Sequence, residues 1–223
     1  MTDVNNAQLP AETVVVEEPN QAAIELFDLS YSAMSHFAQM LVDEGELRGL
    51  IGPRELPRLW SRHLVNSAAI VEFIPQRAQM LDVGSGAGFP GMVAAIMRPD
   101  VDVHLVEPML RRVEWLEDVV AELGLDNVTV HHKRAEELHG QGKADVVTSR
   151  AVANLKKLMP ICMPLVRSGG SLVALKGRKA ADEVAEAQRL FKKFHVAKAV
   201  VHEVSSVMED ESTMVVEIKT FRR

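Results

Sequence analysis

Four glycines and a proline crowd the stretch L-D-V-G-S-G-A-G-F-P-G, from Leu81 to Gly91, between one apolar run and the apolar segment M-V-A-A-I-M. A main chain stripped of side chains at a strand-to-helix turn lets a ligand approach closely. Free N–H groups at the start of the following helix would favour a negative group there. Asp82 stands just before the glycines, and Glu107 closes the next apolar run, H-L-V-E-P, 23 residues after Gly84. A carboxylate at the end of a second strand can accept hydrogen bonds from both hydroxyls of a ribose. Together these residues point to the binding of a nucleoside that carries an ionic tail.

Two fingerprints overlap in this loop. From Gly84 the pattern reads D-x-G-x-G-x-G, the form used for S-adenosylmethionine; from Gly86 it reads G-x-G-x-x-G, the dinucleotide form. In the dinucleotide form the first glycine follows the strand directly, whereas Gly86 comes three residues after Val83, and Asp82 would set a carboxylate near a pyrophosphate. A methyl donor with an ammonium, a carboxylate and a sulfonium tolerates that acid, so the spacing favours S-adenosylmethionine. No Gly-Lys-Ser/Thr closes the stretch, which excludes a P-loop. Asp82, Gly84, Ser85, Gly86, Gly88, Phe89 and Glu107 are therefore candidate donor contacts. Farther on, in R-A-E-E-L, Ala135 can offer its N–H to an adenine ring and Glu136 can meet the ring's amino group.

The elements that must position these residues follow from periodicity. From Gln79 onward, short apolar runs alternate with helical segments, the pattern of βαβ units and a parallel sheet. Strands are expected near 79–83, 102–106, 128–132, 145–149 and 171–175, and helices near 90–97, 110–123, 155–166 and 180–194. The last two runs, 197–204 and 213–220, have strand composition with no helix between them, so the sheet should end in an antiparallel hairpin. The fold class is α/β, a Rossmann-like, mostly parallel seven-stranded sheet. Apolar residues at three- and four-residue steps predict one amphipathic helix over 24–42 and a second over 55–74, separated by the break G-E-L-R-G-L-I-G-P. Three regions are expected: a disordered acidic arm over 1–20, a helical cap over 21–76 and a methyltransferase domain over 77–223.

Composition narrows the setting. The formal charge of −6 is uneven: residues 1–50 hold nine acids against Arg48 alone, while twelve Lys and Arg between Lys143 and Lys198 face only Asp145, Asp182, Glu183 and Glu186. That asymmetry suits an anionic partner on one face. No apolar run reaches the ~18 residues of a membrane span, and the first residues lack the order of a signal peptide, so a cytoplasmic protein without a membrane partner is expected. The single Cys162 cannot form an internal disulfide, and no Cys/His spacing implies a metal.

The motifs taken together resemble a known family. G-S-G-A-G-F-P-G, then E-P-M-L-R-R-V-E-W-L, R-A-E-E-L, T-S-R-A-V-A-N-L and A-L-K-G, with the lead-in R-H-L-V-N-S, closely resemble the RsmG (GidB) family over about residues 55–180. The resemblance implies a class I S-adenosylmethionine-dependent fold and methylation at N7 of one guanine in the decoding-region loop of 16S ribosomal RNA. It implies donor contacts at Gly84, Phe89, Ala135, Glu136 and Arg150. Two positions depart from the family pattern: G-L-I-G-P replaces its Asn-Leu-Thr, and Asn66 stands where the lead-in carries Asp. Both bear on how the cap meets RNA.

The residues present agree with that chemistry. The chain reads S-R-A-V where an amino-adenine enzyme carries Asn/Asp-Pro-Pro-aromatic, and its only cysteine, in M-P-I-C-M-P, reads as a small apolar side chain rather than a nucleophile. Guanine N7 has a free lone pair, so direct transfer needs no general base and no covalent intermediate, and catalysis rests on alignment. Arg150 and Lys176, at the ends of neighbouring strands, are positioning candidates at the carboxyl edge of the sheet. Arg134, Lys176, Arg178, Lys179, Arg111 and Arg112 are candidate RNA contacts. Few aromatics are present, so recognition is expected to use folded 16S RNA within an assembling small-subunit particle, by a monomeric enzyme. His63 is expected to act as a structural hydrogen-bond donor. A small-molecule methyltransferase, a non-catalytic RNA-binding module and a nicotinamide oxidoreductase are the alternatives; the basic excess and the intact donor motifs disfavour them.

Overall fold

The computed structural model describes residues 15–150, 153–210 and 212–222. Residues 1–14 of the expected acidic arm lie outside the described residues. From Val15 the chain is attached: the Glu17 amide donates to the Pro57 carbonyl (2.9 Å), and the Glu17 carboxylate accepts from the amide (2.6 Å) and hydroxyl (2.8 Å) of Ser61.

The strands are β1 (Gln79–Val83), β2 (Asp102–Glu107), β3 (Val128–His132), β4 (Ala144–Arg150), β5 (Val166–Lys176), β6 (Val196–Val204) and β7 (Thr213–Thr220). They form one sheet in the order β3-β2-β1-β4-β5-β7-β6. β1 to β5 pair in parallel, and β7 lies antiparallel between β5 and β6. The helices are α1 (Gln21–Phe27), α2 (Tyr31–Glu44), α3 (Asn66–Ala68), α4 (Gly91–Met97), α5 (Leu110–Leu123), α6 (Leu155–Cys162) and α7 (Ala180–Ala187). The order reverses between β1 and β4, so the carboxyl ends of these two strands open the crevice where doubly wound sheets bind ligands. Gly84 follows β1 and Arg150 ends β4.

Local signals set several boundaries. Asn20 caps α1 by accepting from the Ala23 amide at 2.8 Å, Asn154 caps α6 by accepting from the Lys157 amide, and Gly124 ends α5 with φ +61°. Other segments depart from expectation. The helix expected over 24–42 is broken at Asp28, whose φ of +43° is not helical, so α1 and α2 meet at an angle. Both halves face one core, which is why the apolar pattern runs on across the break. The helix expected over 55–74 is a 3₁₀ turn (Leu56–Arg58), a π-helical segment (Leu59–Val65), α3 and another 3₁₀ turn (Val71–Phe73). The wide π turn buries Leu59, Trp60, Leu64 and Val65 together. α6 ends at Cys162 rather than continuing to 166; a 3₁₀ turn holds Pro164, and β5 starts at Val166, paired with Ala144. α7 stops at Ala187, and the chain reverses through His195 at φ +54°.

The cap and the sheet share one apolar core. Phe27, Met34, Phe37, Leu41, Leu59 and Leu64 pack in one cluster with Phe89, Met92, Leu105, Trp115 and Leu116. A second cluster lies on the opposite face, built on Leu158, Met159, Cys162, Leu172 and Ile218.

Candidate active site

The glycine loop is built to hold its own shape. The amides of Gly84 and Ser85 donate to the Val106 carbonyl, and those of Gly88 and Phe89 to the Ser85 carbonyl. The Gly91 amide, at the start of α4, donates to Asp82 Oδ2 at 3.0 Å. This corrects the expectation of free amides at that helix start, because most are satisfied within the loop. Gly84, Gly86 and Gly88 have φ of +73°, +58° and +110°, a region that side chains disfavour. A Cβ at Gly88 would come within 2.9 Å of Met92 Cβ and 3.1 Å of Phe37 Cζ, so this glycine serves packing of the loop on α2 and α4. A Cβ at Gly86 would meet nothing nearer than 3.8 Å, so this residue is the open part of the loop.

The two acids sit behind the loop. Asp82 is fully buried, and burial pushes its carboxyl up to about 7 against the amide bond from Gly91. Its Oδ1 has no hydrogen-bond partner among the described residues. Glu107 is 2% exposed and accepts from the Gly86 and Met109 amides, both at 2.9 Å, with Arg112 Nη1 at 3.9 Å from it. Ser85 is buried, its hydroxyl donating to the Asp82 carbonyl. Asp82 and Ser85 therefore brace the loop from within, while each Glu107 oxygen retains a second lone-pair direction.

A cavity opens on the outer side of the loop, lined by Gly84, Ser85, Gly86, Ala87, Phe89 and Arg150 from the sheet and by Leu50, Ile51, Gly52, Glu55 and His63 from the cap. Arg150 lies over the Phe89 ring, its Cζ 4.6 Å from the centroid, and donates through Nη2 to His63 Nδ1 at 2.8 Å. The His63 ring stacks on the Phe89 ring as well, centroids 5.1 Å apart. Burial, then the Arg150 charge, lower His63 from 6.5 to about 4, so it is neutral; it accepts through Nδ1, which leaves its proton on Nε2, 3.3 Å from Glu55 Oε2. Burial also lowers Arg150 to about 10, leaving it charged at neutral pH.

A second cavity of about 550 Å³ adjoins the first. It is lined by Arg62, Asn66, Ala153, Asn154, Leu175, Lys176, Gly177 and Glu183, and it shares Glu55, His63 and Arg150 with the first. These three side chains form the partition between the two spaces. Asn66 donates to the Thr213 hydroxyl at 2.6 Å, tying the cap to β7. Lys176 is 8% exposed, with its ammonium 2.9 Å from the Glu183 carboxylate and bonded to the Ala153 carbonyl. Its charge is thus paired with Glu183 at the wall of the second cavity, which Lys176 lines.

Other expected residues fall elsewhere. Ala135 is buried and Glu136 exposed in a 3₁₀ turn (Ala135–Leu138) after β3, and neither lines the two cavities. Arg112 leans on the donor loop beside Glu107, and the Arg111 guanidinium packs near Gly49 of the cap. Arg134, Arg178 and Lys179 are exposed around the same edge. Leu50, Ile51, Gly52 and Glu55 were not singled out from sequence as site residues. Gly49 and Gly52 in R-G-L-I-G-P are the available signal; the sequence marks that segment as a break between helices and as a departure from the family pattern at the cap, not as a cavity wall. Among the described residues, no group of three His, Cys, Asp or Glu could hold a metal ion, and no helix is long and apolar enough to cross a membrane.

Comparison with known proteins agrees with this geometry. The profile of GidB, rRNA small subunit methyltransferase G, matches residues 30–214. A ribosomal RNA small subunit methyltransferase G of Beutenbergia cavernae is 49% identical over 209 residues, covering 94% of this chain and 98% of that protein. The protein of the same name from Thermobifida fusca is 49% identical over 200 residues, covering 90% and 84%. Among solved structures, M. jannaschii TYW2 in complex with AdoMet superposes with a TM-score of 0.59 at 16% identity, covering 74% of this chain and 78% of that one. A SAM-dependent O-methyltransferase of Thermotoga maritima gives 0.53 at 15% identity, covering 71% and 66%. The architecture is the class I S-adenosylmethionine-dependent methyltransferase fold. By its match over most of its length and by these relatives, the chain belongs to the ribosomal RNA small subunit methyltransferase G family.

Proposed function

We propose that this enzyme, an S-adenosylmethionine-dependent methyltransferase of small-subunit ribosomal RNA, methylates N7 of one guanine in the decoding-region loop of 16S RNA. The observation that carries the reading is the pair of adjoining cavities at the carboxyl edge of the sheet, which share Glu55, His63 and Arg150 in their lining. The first cavity fits the donor: apolar walls from Leu50, Ile51, Ala87 and Phe89 suit a nucleoside, Arg150 supplies a cation for a carboxylate, and Glu107 stands behind Gly86 for a ribose. When bound, S-adenosylmethionine supplies an electrophilic methyl carbon on a sulfonium. The second cavity is roomy enough for a base turned out of its stack.

The chain's own residues then need only align the partners. Guanine N7 already carries a free lone pair, and no side chain of the partition is a poised base: His63 spends its Nδ1 on Arg150, and burial pushes the Cys162 thiol up, away from nucleophilic use. The contacts of Arg150 with His63 and Phe89 hold the guanidinium in place, so it can receive an anionic tail with little reorganisation. Arg62, exposed at the rim of the second cavity, and Arg134, Arg178 and Lys179 around the same edge supply cations for the RNA backbone. Ala135 and Glu136 remain the residues proposed for the adenine. The substrate is the folded RNA in an assembling particle, met in the cytoplasm by a monomeric enzyme.

Borohydride–aniline cleavage of 16S RNA from cells with and without the gene tests the reaction. Cleavage at one guanine that disappears on deletion is the expected result, and cleavage unchanged by deletion would overturn the N7 reading.

A further inference from the structure

Methylation of a guanine at N7 moves a positive charge. The N7 lone pair forms the new N–C bond as the C–S bond breaks and its electron pair returns to sulfur; the sulfonium becomes a neutral thioether and the purine becomes a cation. The charge therefore passes from the first cavity to the second across the partition. On that reading, the groups that border both cavities are the ones that meet the charge.

Among the described residues, three side chains border both cavities. His63 is uncharged and bonded to Arg150. Arg150 is itself a cation and would oppose a positive charge arriving beside it. Glu55 is the remaining member and the only anion among the three. Its Oε2 lies 3.3 Å from His63 Nε2 and 3.2 Å from Arg62 Nε, on the cap segment just before the 3₁₀ turn at Leu56–Arg58. Glu183, the other carboxylate of the second cavity, is spent on the Lys176 ammonium and on the Leu155 amide. Arg62, which also lines the second cavity, is 54% exposed and Glu55 itself 41%, so water screens this pair more than the Lys176–Glu183 pair, whose side chains are 8% and 23% exposed.

We propose that Glu55 is the electrostatic counter-charge for methyl transfer, a carboxylate bordering both cavities that stabilises the positive charge on the donor and then on the methylated base. Its place in the cap explains why the cap is built into the donor wall rather than only around it. A carboxylate so placed favours a cationic donor over its neutral product, and so also helps expel the spent thioether.

The test compares wild type, Glu55→Gln and Glu55→Asp by isothermal titration with S-adenosylmethionine and, separately, with S-adenosylhomocysteine, which lacks the methyl group and its charge. Wild type should prefer the cation, and Glu55→Gln should reduce that preference about 5- to 20-fold while the affinity for S-adenosylhomocysteine changes less than about 2-fold, the size expected of one partly screened charge a few ångströms away. Single-turnover methylation of small-subunit particles from a deletion strain should slow about 10-fold or more in Glu55→Gln and recover in part in Glu55→Asp. A structural role alone would shift both affinities together and lower the melting temperature. Equal shifts for the two nucleosides, or an unchanged preference, would overturn the proposal. If the wild type neither binds S-adenosylmethionine nor methylates the particles, the fault lies in the functional reading on which the proposal rests.

Discussion

Replacing Glu107 by Ala removes a carboxylate that is 2% exposed and accepts two backbone N–H bonds at 2.9 Å, from Gly86 in the donor loop and from Met109 before α5. Hydrogen bonds to a charged acceptor contribute roughly 1.5–3 kcal/mol each. Gly86 lines the cavity and Met109 is 41% exposed, so water can reach both amides once the side chain is gone, which favours the low end, about 3 kcal/mol in all. For a chain of this size that corresponds to a fall in melting temperature of about 6–12 °C. The same change should weaken S-adenosylmethionine by about 5- to 150-fold, from ribose hydroxyls left without an acceptor and from a loop no longer held at Gly86. Differential scanning calorimetry and isothermal titration read the two effects separately. A melting temperature within about 2 °C of wild type, together with unaltered donor affinity, would show that Glu107 neither braces the loop nor meets the nucleoside.

Three further outcomes follow from the same geometry. His63 is held neutral, with a folded value of about 4 against 6.5 unfolded, so its contribution is present above pH 6.5 and lost as pH falls toward 4; urea melts should show wild type losing about 2–3 kcal/mol more than His63→Gln across that window, and parallel pH profiles would refute it. Asp82, pushed the other way to about 7, binds a proton in the fold that the unfolded chain has released, so wild type should lose stability between pH 4 and pH 7 relative to Asp82→Asn; the difference should be of order 2–4 kcal/mol, and no pH-dependent gap between them would contradict the buried placement. Gly88→Ala places a methyl 2.9 Å from Met92 Cβ at a φ of +110°; it should cost about 2–4 kcal/mol in chemical denaturation, and a loss under about 0.5 kcal/mol would mean that the loop can relax away from α2.

Much of this was legible in the sequence because it rests on local signals. The turn glycines, the alternation of strands and helices and the position of Glu107 at the end of β2 depend on backbone geometry that few other residues allow. Arg150 could be placed at the edge of the sheet because it ends a strand in the topology. What could not be read depends on contacts between distant segments. Nothing in L-I-G-P announces that Leu50 and Ile51 wall a cavity whose floor is Phe89. The break at Asp28 is hidden because Phe27 and Met34 both face one core. The use of loop amides by Val106, Ser85 and Asp82, rather than by a ligand, follows from the third dimension alone. The pairing of Lys176 with Glu183 has the same origin: the two residues are near in sequence, but only the turn into α7 brings them together.

The shared core of cap and sheet restricts how spent donor leaves. Swinging the cap away as a unit would expose Phe37, Met34, Leu41 and Phe89 at once, at a cost of several kcal/mol of apolar surface. The stretch from Gly45 to Gly52 is held in the same way: Leu47 is 87% exposed and Gly49 turns the chain at φ +61°, but Ile51 is buried in that core and Arg48 lies over the Trp115 ring. The cap is therefore part of the domain's folding unit, and a substitution that loosens Phe37 or Leu41 should unsettle the donor loop and the cap together.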